Sequence, residues 1–155
     1  MKRFWLVLVL GFFASDIAVA QRLPPGALPD HYALTFAINF STNSFEGDET
    51  IDLQLTKPSS SITLNALEID FHDVSITAAG QTQVAKVSLN EKLERATFTV
   101  EKPLPEGPAS IHIKYTGHLN DKQRGLYLGT SNGRKYAVTQ LEATDARVEI
   151  GRAHV

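Results

Sequence analysis

Two side chains near the carboxyl end, Gln140 and Glu142, are the best placed in the chain to do chemistry. They follow Tyr136-Ala137-Val138-Thr139, a β-branched and aromatic run with the character of a strand. In an extended backbone, residues two apart share a face, so the amide and the carboxylate stand side by side, about 7 Å apart. Such a pair suits the capture of an ammonium group. The carboxylate supplies charge and the amide oxygen a further acceptor. The same two residues would also mark the solvent side of an edge strand, and spacing alone leaves both readings open.

Most other chemistries find no support. The sequence has no cysteine, which excludes disulfides, thiolate metal sites and cysteine nucleophiles together. The histidines, His31, His72, His112, His118 and His154, are scattered, with no two at i, i+4. No H-E-x-x-H is present, the helical arrangement that gives a zinc peptidase two imidazoles and a general-base Glu. There is no Gly-rich phosphate loop and no nucleophile elbow. A formal charge of −2, with no Lys/Arg cluster beyond the first residues, argues against a nucleic-acid binder. Asn39-Phe40-Ser41 fits the glycosylation sequon, which matters only in a glycosylating host.

The elements that must position Gln140 and Glu142 read as strands. At 155 residues, 43% hydrophobic and 21% charged, the chain has the length and apolar content for one folded domain. Tyr32, Leu34, Phe36, Ile38 and Phe40 alternate with smaller or polar residues, the period of a half-buried strand. Ser41 to Ser44 turns the chain, and Gly47-Asp48 predicts a second tight turn. Ile51, Leu53 and Leu55 then return antiparallel. Pro58 to Ser61 reads as a loop, Ile62 to Leu64 as a strand, and 67–71 and 74–77 as two more. Val84 to Leu89 and Ala96 to Val100 predict a hairpin around Asn90-Glu91-Lys92, with Phe98 and Val100 inward. Ile111, Ile113 and Tyr115 alternate clearly, Gly117 to Arg124 connects, and Asn132-Gly133 predicts a tight hairpin into Lys135 to Glu142. With no helical window of useful length, the fold class is all-β: an antiparallel sandwich or a saddle-like open, curved sheet.

Thr139-Gln140-Leu141-Glu142-Ala143-Thr144-Asp145-Ala146-Arg147 resembles a signature of the gluzincin zinc aminopeptidases, the group of aminopeptidase N and puromycin-sensitive aminopeptidase. Further stretches agree in family order. Arg22-Leu23-Pro24, Pro29 and His31 to Leu34 resemble the opening, Phe45-Glu46-Gly47 the F-x-G turn, and Leu64-Asn65-Ala66 the L-N-A step. Tyr115-Thr116-Gly117 and Gly125-Leu126-Tyr127 resemble the Y-x-G and G-L-Y pair. The resemblance implies the amino-terminal β-domain of a larger enzyme whose zinc, H-E-x-x-H helix and exopeptidase motif lie in the next domain. It implies that Gln140 and Glu142 hold the α-amino group of peptide substrates, that this domain alone is inactive, and that it packs against the zinc domain. Asp145 and Arg147 would fix the turn leading there. The competing reading is a non-catalytic secreted β-sandwich binding module. A scaffold in transcription assemblies would clash with the start of the chain.

That start has the form of an export signal. Lys2 and Arg3 precede an apolar run from Phe4 to Ala14, and Ala18-Val19-Ala20 offers a cleavage site. The run is too short to span a membrane, so residues 1–20 are expected to be removed and the product to be periplasmic or secreted. The aminopeptidase-like domain is expected over 21–147. Residues 148–155 depart from the family pattern, and Ile150 to Val155 can be encoded by the start of a common sequencing adapter, so they are expected to be a non-native tail.

Overall fold

The computed structural model describes residues 23–141. The residues expected to form a leader, Glu142, Asp145, Arg147 and the residues expected to form a tail lie outside them. Ten strands account for the described chain: β1 (Ala27–Asn39), β2 (Ser44–Leu55), β3 (Ser59–Asn65), β4 (Ile69–Ala78), β5 (Gln81–Val84), β6 (Lys86–Asn90), β7 (Arg95–Leu104), β8 (Gly107–His118), β9 (Gly125–Ser131) and β10 (Arg134–Gln140). A single 3-10 turn, Glu91–Leu93, joins β6 to β7 and is capped by the Asn90 side chain. Among the described residues no helix is long and apolar enough to cross a membrane.

The strands form a five-stranded sheet in the order β1-β2-β8-β4-β5, a three-stranded sheet β3-β7-β6, and a two-stranded ribbon β10-β9. All their pairings are antiparallel. Period-two alternation selects the buried face. On β2, Phe45, Ile51, Leu53 and Leu55 point in while Glu46, Asp48, Asp52 and Gln54 point out. On β8, Ile111, Ile113 and Tyr115 point in while Lys114 and His118 point out. From the smaller sheet, Ile62, Leu64, Phe98 and Val100 complete the core, so Phe98 and Val100 do face inward. The result is an all-β domain of antiparallel open sheets.

Four expectations need correction. The two strands expected over 67–71 and 74–77 are one, β4, with a register irregularity between Phe71 and Val74. Gly47 makes no turn: β2 runs straight through it, in register with β1 and β8. A Cβ at Gly47 would lie 2.3 Å from Cζ of Tyr115, its cross-strand partner on β8. The same holds two pairs along, on the same face, where Phe45 faces Gly117 and a Cβ there would lie 2.3 Å from the Phe45 Cζ. Each glycine of F-x-G and Y-x-G therefore makes room for the aromatic ring of the other motif. The two rings meet edge to face, with centroids 6.3 Å apart. Residues 59–61 are strand, not loop; they pair with β7 across a register shift, Ser59 opposite Leu104 and Ser61 opposite Thr99. Finally, 84–89 is not one strand. The chain changes sheets at Ala85, whose N–H donates to the Val74 carbonyl, leaving β5 on β4 and β6 on β7.

Candidate functional site: the β9–β10 ribbon

Asn132 and Gly133 both take positive φ (51° and 74°), the primed turn that matches the twist of a two-residue hairpin. It sets the register Arg134↔Ser131 through Gln140↔Gly125. Leu126 is buried, and Leu128 and Ala137 pack against the core. Ala137 faces the body, so its alternates Tyr136, Val138 and Gln140 lie on the other face. Gln140 is the last residue of β10 and is exposed there. The strand predicted for 135–142 is thus present as far as Gln140. Whether Glu142 stands beside Gln140 falls outside the described residues.

The ribbon is tied to the body at both ends. At its tip, Lys135 Nζ donates to the Phe40 carbonyl and to Asn43 Oδ1, both at 2.8 Å, within the β1–β2 turn. At its base, Asn120 Nδ2 donates to the carbonyls of Arg124 (2.8 Å) and Leu126 (3.3 Å). The N–H of Lys122 donates to Asn120 Oδ1, and that of Leu128 to the Asn120 carbonyl. Sequence reasoning passes over both residues. Asn120 sits in a polar connection and Lys135 at a strand start, and neither position carries a signal until its partners are in place.

The remaining polar side chains do not assemble a catalytic centre among the described residues. His112 Nε2 lies 2.8 Å from Asp48 Oδ1, and His72 Nε2 lies 3.1 Å from Thr116 Oγ1, both on the polar outer face of the large sheet. No group of three or more metal-capable side chains is brought together among the described residues. These residues therefore do not fit a zinc ion. A wide, open depression of about 750 Å³ lies at the far end of β8 from the ribbon, beside Pro108, Asp52 and Gly80.

The described residues form an all-β domain of antiparallel sheets with the β9–β10 ribbon attached to it. Residues 28–150 match the family described as the Peptidase M1 N-terminal domain, and the chain belongs to that family. It is 38% identical to Aminopeptidase 2 of Candida albicans, over 82% of this chain and 14% of that protein. It is also 38% identical to the Alanine/arginine aminopeptidase of Saccharomyces cerevisiae, over 82% of this chain and 16% of that protein. Against the Puromycin-sensitive aminopeptidase of Caenorhabditis elegans the identity is 31%, over 82% and 14% respectively. The chain thus spans only 14% to 16% of the length of these relatives.

Proposed function

We propose that this domain is the substrate-anchoring part of an exported zinc aminopeptidase, and that Gln140 and Glu142 bind the free α-amino group of the peptide. The observation that carries the reading is the position of Gln140: exposed, at the end of a ribbon tied down at both ends, on the face turned away from the core. An enzyme that removes one residue at a time must measure from the chain end. A carboxylate at a fixed distance from the scissile bond does so, because its charge-assisted bonds to an ammonium are short and about twice as strong as neutral ones. Acetylation removes that charge and leaves the acid without its partner, which costs about 2–5 kcal/mol for a desolvated pair.

Zinc enters through the resemblance of residues 139–147 to the zinc aminopeptidases, and peptidase chemistry through the matched family and relatives. Its ligands and the bond-breaking step belong to sequence beyond this domain, and the domain's share is to seat the amine. Export rests on the form of residues 1–20.

The test is the complete gene product assayed with alanine 4-nitroanilide and its N-acetyl derivative. The reading expects release of nitroaniline from the free-amine substrate and at least about 30-fold less from the acetylated one, the factor for 2 kcal/mol. Equal rates on the two would refute an amine anchor. No hydrolysis by a folded, metal-loaded product would favour a secreted binding module.

A further inference from the structure

We propose that Asn120 is a positioning residue for the amine site, setting where Gln140 stands in space. The inference rests on the anchoring role of Gln140 and goes one shell behind it. Gly125 is the residue opposite Gln140 across the ribbon, and it lies between the two carbonyls, Arg124 and Leu126, that the Asn120 amide holds. Gly125 itself takes a left-handed φ of 61°, and Gln123 one of 57°, so the backbone turns sharply into β9. Sequence alone would let such a segment adopt several paths. Asn120 selects one of them. Its Oδ1 closes the loop on the Lys122 N–H, its Nδ2 spans the two carbonyls, and its own carbonyl takes the Leu128 N–H.

Asn120 is in turn fixed to the body. It follows buried Leu119, whose N–H donates to the Asn43 carbonyl (2.8 Å). Asn43 Oδ1 accepts from Lys135 at the ribbon tip. Two asparagines thus connect the β1–β2 turn to both ends of the ribbon. The base matters more than the tip for Gln140. Five steps along the strand, about 17 Å, separate it from Lys135, whereas Gly125 is directly across from it. Only an amide serves at 120. A carboxylate of the same shape still accepts from Lys122 but has no N–H for the carbonyls of Arg124 and Leu126, and it repels them.

The test uses the complete enzyme and compares Asn120→Asp with Gln140→Ala. The readouts are kcat and KM for alanine 4-nitroanilide, inhibition by butylamine against butanol, and the melting temperature. Positioning predicts that Asn120→Asp raises KM and the butylamine inhibition constant together by about tenfold, with kcat within about twofold, since a displacement near 1 Å can cost up to 100-fold. Butanol inhibition should not move, and adding Gln140→Ala should produce little further loss. A variant that only loses stability would lower kcat through its active fraction and leave both constants unchanged, which would overturn the proposal. Constants that respond to Gln140→Ala but not to Asn120→Asp would also overturn it. Constants that respond to neither would refute the amine anchor, and this inference with it. If Asn120→Asp does not fold, Asn120→Ser carries the same expectations, because its hydroxyl can still accept from Lys122 but cannot span both carbonyls.

Discussion

Gly47→Ala is a small change on paper and a large one in this fold. The added Cβ would lie 2.3, 2.4 and 2.8 Å from three ring carbons of Tyr115, where carbon pairs prefer about 3.5–4.0 Å. Either the strands or the ring must give way by more than about 1 Å. The ring has little freedom: it is 2% exposed, packs edge to face on Phe45 and tilts against Phe71 at 6.4 Å. Forcing a methyl into a filled core costs about 1–3 kcal/mol. Swinging the ring out instead forfeits the burial of a large side chain, also about 1.5–3 kcal/mol. Against this, Ala loses less backbone entropy than Gly on folding, an offset of about 0.4–1 kcal/mol. The net expectation is a loss of about 1–2 kcal/mol, or about 3–8 °C in Tm at this size. Urea unfolding followed by circular dichroism measures it, and Tyr115→Leu supplies the control. With the ring gone, Gly47→Ala should cost less than about 0.5 kcal/mol, a coupling of about 1–2 kcal/mol between the two sites. A Gly47→Ala protein as stable as the parent, or one equally destabilised in both backgrounds, would refute the explanation of the F-x-G and Y-x-G pair.

Other consequences follow from the same structure. Leu126→Ala should cost about 2–4 kcal/mol in urea unfolding and increase amide exchange along β9 and β10, because Leu126 is the buried contact at the ribbon base. Asn90→Ala removes the acceptor for the Leu93 N–H (3.1 Å) and should cost about 0.5–1 kcal/mol, without affecting amide exchange in the ribbon. Export with cleavage after Ala20 predicts that the mature product begins at Gln21; amino-terminal sequencing of protein recovered outside the cytoplasm checks this, and a product beginning at Met1 would contradict it.

Much of the strand pattern is legible because a half-buried strand writes its burial into every second residue. The runs at Tyr32–Ile38, Ile51–Leu55 and Ile111–Tyr115 need no partner to be recognised. The Asn132-Gly133 turn is legible for a related reason, since its two positive φ angles suit few residues. Gly47 misleads because glycine permits two opposite things, a turn and a close approach, and only the ring across the strand decides between them. The change of sheet at Ala85 leaves no trace in periodicity, because 84 and 87 to 89 are all acceptable strand residues and the break is a matter of which neighbour each half meets. That Gln140 lies in a strand is readable from its neighbours. Its supports at Asn120 and Lys135 are not, because they depend on carbonyls 4 to 95 residues distant in sequence.

The most direct measurement of the proposed amine anchor is kcat/KM for alanine 4-nitroanilide in the complete gene product carrying Glu142→Ala, with zinc content determined on the same sample. Loss of the carboxylate from a desolvated pair predicts a fall of at least about 30-fold at unchanged zinc content. A kcat/KM equal to that of the parent would remove Glu142 from the site and contradict the role proposed for the ribbon.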